Sequence, residues 1–436
     1  MAEARRSQLG WFRRPGRRRN PAVPRLRVLA VLTLALLAAT TVVNSTSAQA
    51  APGPSDAPEW WFDAWSAPAL WASGADGRGI TVAVIDTGVQ ASIPELSGKV
   101  LPGADFIGNG TDGRTDFDSE DFSHGTAMAS LIVASQGYGN IEGLAPGAKI
   151  LPIAVPLRGV IRYGTPTANA TSEAVKYAAD HGAKIISMSL GGFVYEGEDP
   201  APCPSKLQDA VLYALQKGAI VVAASGNSGA DGSPVEEPGV CLGVVSVGAV
   251  DARSKVTSFS SRHPYLTVSA PGDEIPTLSK QASQAFVGGG TSQATAITSA
   301  ALALVWSKFP TATNEQIVSR LLASVSDLGP KGNDDQYGLG LINPYAAVKA
   351  TAAASKPNEV FTGAKPLLDL RVAKTSRPVA KPTAGRADAP IGAYTVGSQA
   401  SLLGRTFYLL LGLAVLSLAL AITLFILAFR RKPRPW

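Results

Sequence analysis

Three residues that could act as a nucleophile, a base and an orienting carboxylate stand at separate junctions of the chain. Asp86 ends an apolar run in "VAVIDTGV", and His124 opens a small-residue helical pattern in "DFSHGTAMASLIVA". Ser292 opens another such pattern in "GGGTSQATAITSAALALV". In a set of this kind the carboxylate fixes the imidazole tautomer and the imidazole accepts the serine proton. The residue types therefore indicate a set made of a nucleophile, a base and a residue that orients the base.

Each of these residues also has a purely structural interpretation. Asp86 could form a turn at the end of a strand, His124 could simply start a helix, and Ser292 could be an N-cap. The glycines at 288–290 are expected to give backbone freedom for a tight helix entry and room for a substrate strand.

The elements that must carry these residues are typical of an α/β fold. Near-continuous β-branched runs indicate strands that are buried on both faces, as in a parallel sheet. These runs lie at residues 79–88, 184–192, 219–227 and 243–250. Helical segments are expected between them, at residues 172–181 and 205–217. The alternation predicts a doubly wound, mainly parallel sheet with helices on both faces, in which function collects at the carboxyl ends of the strands.

The two ends of the chain predict an exported, membrane-anchored protein. Residues 1–50 combine an arginine-rich start, an apolar run and "AQA", which is the form of a cleaved signal peptide; an uncleaved anchor is the alternative. Residues 406–429 lack charged side chains and, at about 36 Å as a helix, could cross a bilayer. The basic tail at 430–436 then lies in the cytoplasm and the body lies outside the cell membrane.

Composition sets the remaining domain boundaries. Residues 51–59 are predicted to form a short N-terminal extension, and residues 60–354 the folded body. Residues 355–405 are rich in Pro, Ala and basic side chains and lose apolar periodicity, so they are predicted to be a linker from the body to the membrane.

The charge of the chain is divided between basic tails and an acidic body. The formal net charge is +6, of which residues 1–27, 356–405 and 430–436 carry +8, +5 and +4. Residues 28–355 are therefore left at −11. An acidic body is not expected to bind nucleic acid.

Cysteine, histidine and acidic residues outside the candidate triad give further expectations. In an oxidising compartment Cys203 and Cys241 are predicted to pair, worth roughly 3–4 kcal/mol, with two buried free thiols as the alternative. No metal-ligand spacing surrounds them.

The acidic residues 112–121 could bind a cation or form a solvated loop, and they lack the spacing of an EF-hand. No metal site is predicted and no cofactor is expected to be required, with a structural calcium left as an unsupported alternative. His181 and His263 are expected to be surface or structural residues.

The local sequences resemble those of the subtilisin-like serine proteases, the subtilases of peptidase family S8. "VIDTGV", "SHGTAMAS" and "GGTSQA", in the order Asp, His, Ser, match the three catalytic blocks of that family. "GLAPGAKI", "SMSLGG", "AASGNSG", "SFSSRHPYLTVSAPG" and "YGLGLINPYAAV" extend the resemblance over roughly residues 60–350. The resemblance implies a serine endopeptidase in which Asp86 orients His124, His124 is the general base and then acid, and Ser292 is the nucleophile.

The resemblance also implies how the substrate would be bound. Asn227, in "SGN", matches the side-chain oxyanion donor, and the N–H of Ser292 would be the second donor. The segment "SLGG" is implied to pair with an extended peptide substrate: Ser189, Leu190, Gly191 and Gly192. After the serine the family usually continues with Met or Phe, Ala, Ala and Pro, whereas this chain has Gln293 and no proline. We expect that departure to affect substrate preference more than activity.

The order of segments resembles that of the mycosins, which are membrane-anchored subtilases of actinobacterial type VII secretion systems. A signal peptide, a short extension, one cysteine pair, a basic linker and a C-terminal span all fit this comparison. It implies the secretion-system membrane complex and a secreted protein as partners. A structural or stabilising subunit of such a complex, with dispensable proteolysis, is the principal alternative, and a soluble scavenging protease is a weaker one.

Overall fold

A parallel sheet forms the centre of the chain in the computed structural model, which describes residues 59–157, 169–193, 203–350 and 358–375. In chain order the strands are β1 Thr81–Asp86, β2 Ala104–Asp105, β3 Lys149–Ala154, β4 Ile185–Met188, β5 Gly192–Phe193, β6 Ile220–Ala224, β7 Glu236–Glu237, β8 Val244–Val250, β9 Val268–Pro271, β10 Ile275–Leu278 and β11 Ala285–Gly288. Within the described residues, seven of them form one sheet in the order β2-β3-β1-β4-β6-β8-β9. Two antiparallel pairs, β5 with β7 and β10 with β11, lie apart from it.

The strand order places β1 near the middle of the large sheet. All paired strands in the large sheet run parallel, and β1 is hydrogen-bonded to β3 on one side and β4 on the other. The four predicted runs contain β1, β4, β6 and β8, so those strands are confirmed. Strands β3 and β9 have no counterpart among the predicted runs because each contains a proline, Pro152 and Pro271, which interrupts a strand pattern.

Helices cover the sheet and bury its strands. They are α1 Trp60–Ala64, α2 Ala67–Ala72, α3 His124–Val133, α4 Ala170–Asp180, α5 Ser205–Gln216, α6 Thr291–Lys308, α7 Asn314–Leu322, α8 Pro344–Lys349 and α9 Glu359–Thr375. Helices α3 and α6 pack against each other and against the sheet, and α4 and α5 form a second packed pair. The predicted helices at 172–181 and 205–217 correspond to α4 and α5, and the mainly parallel α/β fold is confirmed.

Helix α6 runs through the core and carries Ser292 at its start. Every residue from Thr291 to Trp306 is buried. A helix buried on all sides must be apolar or small on all sides, which explains its run of Ala, Ser and Thr. The sheet and α3 therefore fix the position of its first turn.

The disulfide between Cys203 and Cys241 is present, with their Cα atoms 5.0 Å apart, so the predicted pairing is confirmed. It joins the residues just before α5 to the segment between β7 and β8. The cross-link therefore restrains the part of the chain that carries β7.

The predicted linker is wrong at its N-terminal end, because residues Glu359–Thr375 form helix α9. Val360, Phe361 and Ala364 are buried, and Leu367 and Leu368 pack against the core. Their spacing is that of one face of an amphipathic helix. Pro366 and the basic composition hide this face when the segment is judged by composition alone.

The other predicted terminal segments lie outside the described residues. These are the signal peptide at 1–50, nearly all of the extension at 51–59, the linker beyond residue 375, the span at 406–429 and the tail at 430–436. In the ranges that the structure describes, no helix is both long and apolar enough to cross a bilayer. Membrane anchoring therefore stays a prediction.

Candidate active site

Asp86 and His124 form a hydrogen-bonded pair at the end of β1. Asp86 is fully buried, and both of its carboxylate oxygens lie within reach of Nδ1 of His124, at 2.9 and 3.0 Å. The N–H of Thr87 donates a further bond of 2.8 Å to Asp86 Oδ1. An imidazole that donates Nδ1–H to a carboxylate keeps a lone pair on Nε2. The pair therefore prepares Nε2 to accept a proton.

Two more carboxylates hold the start of helix α3, whose first residue is His124. The N–H of His124 donates to Asp118 Oδ2 at 2.8 Å. The N–H and hydroxyl of Thr126 both donate to Asp116 Oδ2, and the Thr87 hydroxyl donates to Asp116 Oδ1. The first N–H groups of a helix have no acceptor within the helix. These side chains supply the acceptors and fix the backbone that carries His124.

Part of the acidic segment 112–121 is buried and not solvated. Asp116 and Asp118 are each only 5% exposed and bind the N-terminus of α3, so the solvated-loop alternative is wrong for them. Asp112 pairs with Arg114 at 2.6 Å. Over the ranges described above, no three His, Cys, Asp or Glu side chains gather as a metal site.

The electrostatics of the pair favour proton uptake by His124. Burial by itself lowers the pKa of His124, but the Asp86 carboxylate beside it raises that pKa, and Asp116 and Asp118 add to the increase. The net pKa lies above the ordinary value for histidine. Burial also raises the pKa of Asp116, against the hydrogen bonds that it accepts from Thr126, Asp118 and Thr87.

Ser292 is the second residue of α6, and the N-cap position belongs to Gly290. The N-cap alternative for Ser292 is therefore wrong. Its Oγ donates to the carbonyl of Ser189 at 3.1 Å, and Ser189 Oγ donates back to the carbonyl of Ser292 at 2.8 Å. To act as a nucleophile, Ser292 Oγ must turn from Ser189 towards His124, and hydrogen bonds of this kind often tighten only when substrate binds.

Asn227 is held in one orientation by the residue before Ser292. Asn227 Oδ1 accepts from the N–H and the hydroxyl of Thr291 at 2.8 and 2.9 Å. A backbone N–H can only donate, so the amide oxygen faces Thr291 and Nδ2 faces away from it. The N–H of Ser292 lies in the first turn of α6, where the helix offers no acceptor. Two donors suited to an oxyanion therefore come from neighbouring segments.

Three adjacent strands bring these groups to one edge of the sheet. Strand β1 ends at Asp86, Ser189 directly follows β4, and Asn227 follows β6. Each of the three binds a part of the candidate site: His124, Ser292 and Thr291, respectively. Since β1, β4 and β6 are neighbours and parallel, their carboxyl ends meet at the same edge.

An aromatic contact joins the two helix starts as well. The ring of Phe122 lies 6.1 Å, centroid to centroid, from His124 and equally far from Phe286 on β11. Strand β11 leads directly into α6. The segments that carry His124 and Ser292 are therefore packed together.

The glycines before Ser292 are needed for space and not for unusual dihedral angles. Gly290 has φ 172°, which is ordinary extended backbone. A Cβ on Gly289 would lie 2.8 Å from Asp273 Oδ1, and one on Gly290 would lie 2.8 Å from Gln293 Oε1. Gln293 is buried, and its carboxamide lies close to these glycines. Its effect on substrate preference stays a prediction.

The other predicted residues are placed as follows. The implied substrate segment runs from the buried Ser189 to Gly192, which pairs with β7. His181 is exposed and stacks on Tyr177, and the buried His263 stacks on Tyr265. Neither histidine takes part in the site described above.

Four side chains that support the site were not predicted from the sequence: Asp116, Asp118, Thr87 and Thr291. The aspartates stand eight and six residues before His124 in a segment whose charge had suggested solvent or a cation. Their only local signal is that they precede a helix start, where carboxylates are favoured.

The chain is similar in sequence to proteins of one known family. The Subtilase family profile matches residues 77–340. Thermitase from Thermoactinomyces vulgaris is 34% identical over 286 residues, which are 65% of this chain and 93% of thermitase. Subtilisin DY from Bacillus licheniformis is 34% identical over 281 residues, which are 64% of this chain and 94% of that protein.

Two solved mycosin structures are also similar. The MycP3 protease of the type VII (ESX-3) secretion system is 32% identical, with a TM-score of 0.57 over 69% of this chain and 89% of that one. MycP1 from Mycobacterium smegmatis is 25% identical, with a TM-score of 0.58 over 71% and 90%. The family match spans more than half of the chain and encloses Asp86, His124, Asn227 and Ser292. The chain therefore belongs to the subtilase family and is a subtilisin-like serine endopeptidase.

Proposed function

We propose that Asp86, His124 and Ser292 are the catalytic triad and that Asn227 completes the oxyanion hole. The observation that carries this proposal is that the carboxyl ends of three adjacent strands contact His124, Ser292 and Thr291, with His124 already bonded to Asp86. Neither the fold alone nor any one of the residues would support it as strongly.

In the acylation step Ser292 Oγ attacks the carbonyl carbon of the scissile peptide bond. His124 Nε2 accepts the hydroxyl proton, and Asp86 stabilises the imidazolium that forms. The carbonyl oxygen becomes an oxyanion bound by Asn227 Nδ2 and the N–H of Ser292. His124 then gives its proton to the leaving amine, and the acyl group remains on Ser292 as an ester.

In the deacylation step a water molecule takes the place of the amine. His124 accepts a proton from this water, which attacks the ester carbon, and the same two donors bind the second oxyanion. Collapse of the intermediate returns the proton to Ser292 Oγ and releases the new carboxyl terminus. The segment from Ser189 to Gly192 holds the peptide as an added strand during both steps.

We further propose that the enzyme acts outside the cell membrane, anchored by residues 406–429, in association with a type VII secretion complex. The export and anchoring signals of the sequence support the first part. The similarity to MycP3 and MycP1, whose structures come from type VII secretion systems, supports the second.

An active-site phosphonate probe tests the catalytic assignment on the full-length chain solubilised from membranes. We expect the probe to label the wild type, to fail with Ser292→Ala, and to label Ser299→Ala, a matched serine further along α6. Absence of labelling in the wild type contradicts the proposed active site, and labelling of Ser292→Ala contradicts the nucleophile assignment.

A structural role in a membrane complex is separable from proteolysis. If catalysis is the main role, Ser292→Ala should still co-purify with its membrane partners while a secreted substrate remains uncleaved. Full secretion with Ser292→Ala would instead favour the structural-subunit alternative.

A further inference from the structure

Strand β7 consists of two glutamates and lies beside the implied substrate segment. It pairs antiparallel with β5, so that Glu237 faces Gly192 and Glu236 faces Phe193. The side chain of Glu236 is buried, with the residue 7% exposed, and its Oε1 has no hydrogen-bond partner among the residues described. Neither glutamate takes part in an ion pair within that part of the chain.

The carboxylate of Glu236 lies at one end of the space between two glycines of the candidate site. A Cβ on Gly226 would overlap Glu236 Oε1, and a Cβ on Gly191 would lie 2.5 Å from Oε2. Gly226 directly precedes Asn227, and Gly191 belongs to the implied substrate segment. Glu236 therefore projects between the segment that binds the oxyanion and the segment that binds the peptide backbone.

This space must receive a particular side chain of the substrate. Under the proposed function, the scissile carbonyl is bound by Asn227 and Ser292, while the backbone before it lies along residues 189–192. The side chain of the residue that supplies this carbonyl, the P1 residue, then lies between these two segments. It points towards Glu236.

A buried carboxylate without a cation is unfavourable in the free protein. Burial raises the pKa of Glu236, a hydrogen bond with Ser228 acts in the opposite direction, and burial raises the pKa of Glu237 too. Such an arrangement is stabilised by a ligand that brings the missing positive charge. The acidic body, at −11 over residues 28–355, also favours the approach of basic peptides.

We propose that Glu236 selects substrates with Lys or Arg as the P1 residue. The proposal rests on the proposed function, because it uses Ser292 and Asn227 as the fixed points of the bound peptide. Lys would meet the carboxylate as a point charge, and Arg would meet it through a planar fork of donors.

Fluorogenic peptides that differ only at P1 test this selectivity on the full-length chain. We expect kcat/KM for Lys and Arg to exceed that for Leu, Phe and Gln. In Glu236→Gln the ratio of the Lys peptide to the Leu peptide should fall by about 30-fold or more, because the buried charge loses its partner. A wild type that prefers Leu or Phe, or a ratio that Glu236→Gln leaves unchanged, overturns the proposal. Equal rates for Gln and Lys also overturn it, because a neutral polar contact would then suffice.

Glu237→Gln is the matched control. It makes the same change of charge one residue away, and neighbouring residues of a strand point to opposite faces. We expect it to keep the Lys preference of the wild type. Loss of the preference in Glu237→Gln but not in Glu236→Gln would overturn the assignment to Glu236.

A binding measurement separates this proposal from the catalytic one. In full-length Ser292→Ala, fluorescence anisotropy would compare labelled peptides with Lys or norleucine at P1. Tighter binding of the Lys peptide, abolished by Glu236→Gln, supports the role of Glu236 whether or not the wild type labels with a phosphonate. Equal binding of the two peptides refutes it. A wild type that labels and cleaves without basic selectivity would leave the triad intact and remove only the role of Glu236.

Discussion

At the residue scale, His124 is controlled by carboxylates with different contacts. Asp86 binds the imidazole directly, whereas Asp118 binds the backbone N–H of the same residue. Asp116 binds the same first turn of the helix through Thr126. One carboxylate therefore orients the ring while two others fix the helix start and raise the pKa of His124 further.

Asp118→Asn should move the pH dependence of catalysis. Asn keeps an oxygen that can accept from the N–H of His124 but removes a negative charge, so the pKa of His124 falls. Because the base must be neutral, the acid limb of kcat/KM against pH should shift to lower pH, by about half a unit. Asp112→Asn, at the exposed pair with Arg114, is the control and should not move it. A shift to higher pH would contradict the electrostatic role.

Asn227→Asp should separate the two functions of Asn227. Asp keeps an oxygen to accept from Thr291 but lacks the amide donor, so kcat should fall on the order of 10²–10³-fold with little change in KM. Thr291→Val removes only the hydroxyl that donates to Asn227 and should cost much less. Steady-state kinetics of the two variants would check this, and a similar loss in both would indicate that Asn227 acts mainly through helix α6.

At the element scale, α9 extends the folded body beyond the segment that resembles a subtilase. Asn358 donates to the carbonyl of Glu315, and Arg371 forms an ion pair with Asp209 at 2.8 Å. These contacts attach α9 to α7 and α5, respectively. The buried face of α9 is therefore expected to contribute to stability and not to catalysis.

Phe361→Ala should lower the free energy of unfolding by about 3 kcal/mol, because it empties a buried site. Leu370→Ala, on the same helix and 60% exposed, should change it by no more than about 0.5 kcal/mol. Urea unfolding of the full-length variants, followed by tryptophan fluorescence, would compare them. Equal stability of the two would show that α9 is not part of the cooperative fold.

At the scale of the whole molecule, charge and hydropathy divide the sequence into an acidic body and basic or apolar ends. The acidic body holds the candidate site, and basic and apolar segments lie at the two ends of the sequence. The proposed catalytic residues all lie between Asp86 and Ser292. Removal of the C-terminal segment should therefore change where the protein is found without changing its chemistry.

A chain that ends at residue 405 should be recovered from the soluble exported fraction instead of the membrane. It should keep phosphonate labelling at Ser292, since α9 and the site are retained. Fractionation and probe labelling of the same culture would measure both. Retention of this shorter chain in the membrane would contradict an anchor at residues 406–429.

The residues proposed for catalysis could be predicted from the sequence because each stands in a recognisable local pattern. A carboxylate at the end of a buried strand, a histidine and a serine at helix starts, and "SGN" after another strand are all visible along the chain. Strands β1, β4, β6 and β8 were predictable because strands covered on both faces are continuously apolar. The cysteine pairing followed from the predicted export.

The residues that support the candidate site could not be predicted from the sequence, because their support depends on contacts between segments that are distant along the chain. The sequence suggested that Asp116 and Asp118 are exposed to solvent. In the structure they accept hydrogen bonds from the first N–H groups of α3, which have no acceptor within the helix. The glycines before Ser292 proved to be required by close packing of Asp273 and Gln293. The position of Glu236 depends on two glycines, 45 and 10 residues before it, which leave room for its buried carboxyl group beside the proposed substrate segment.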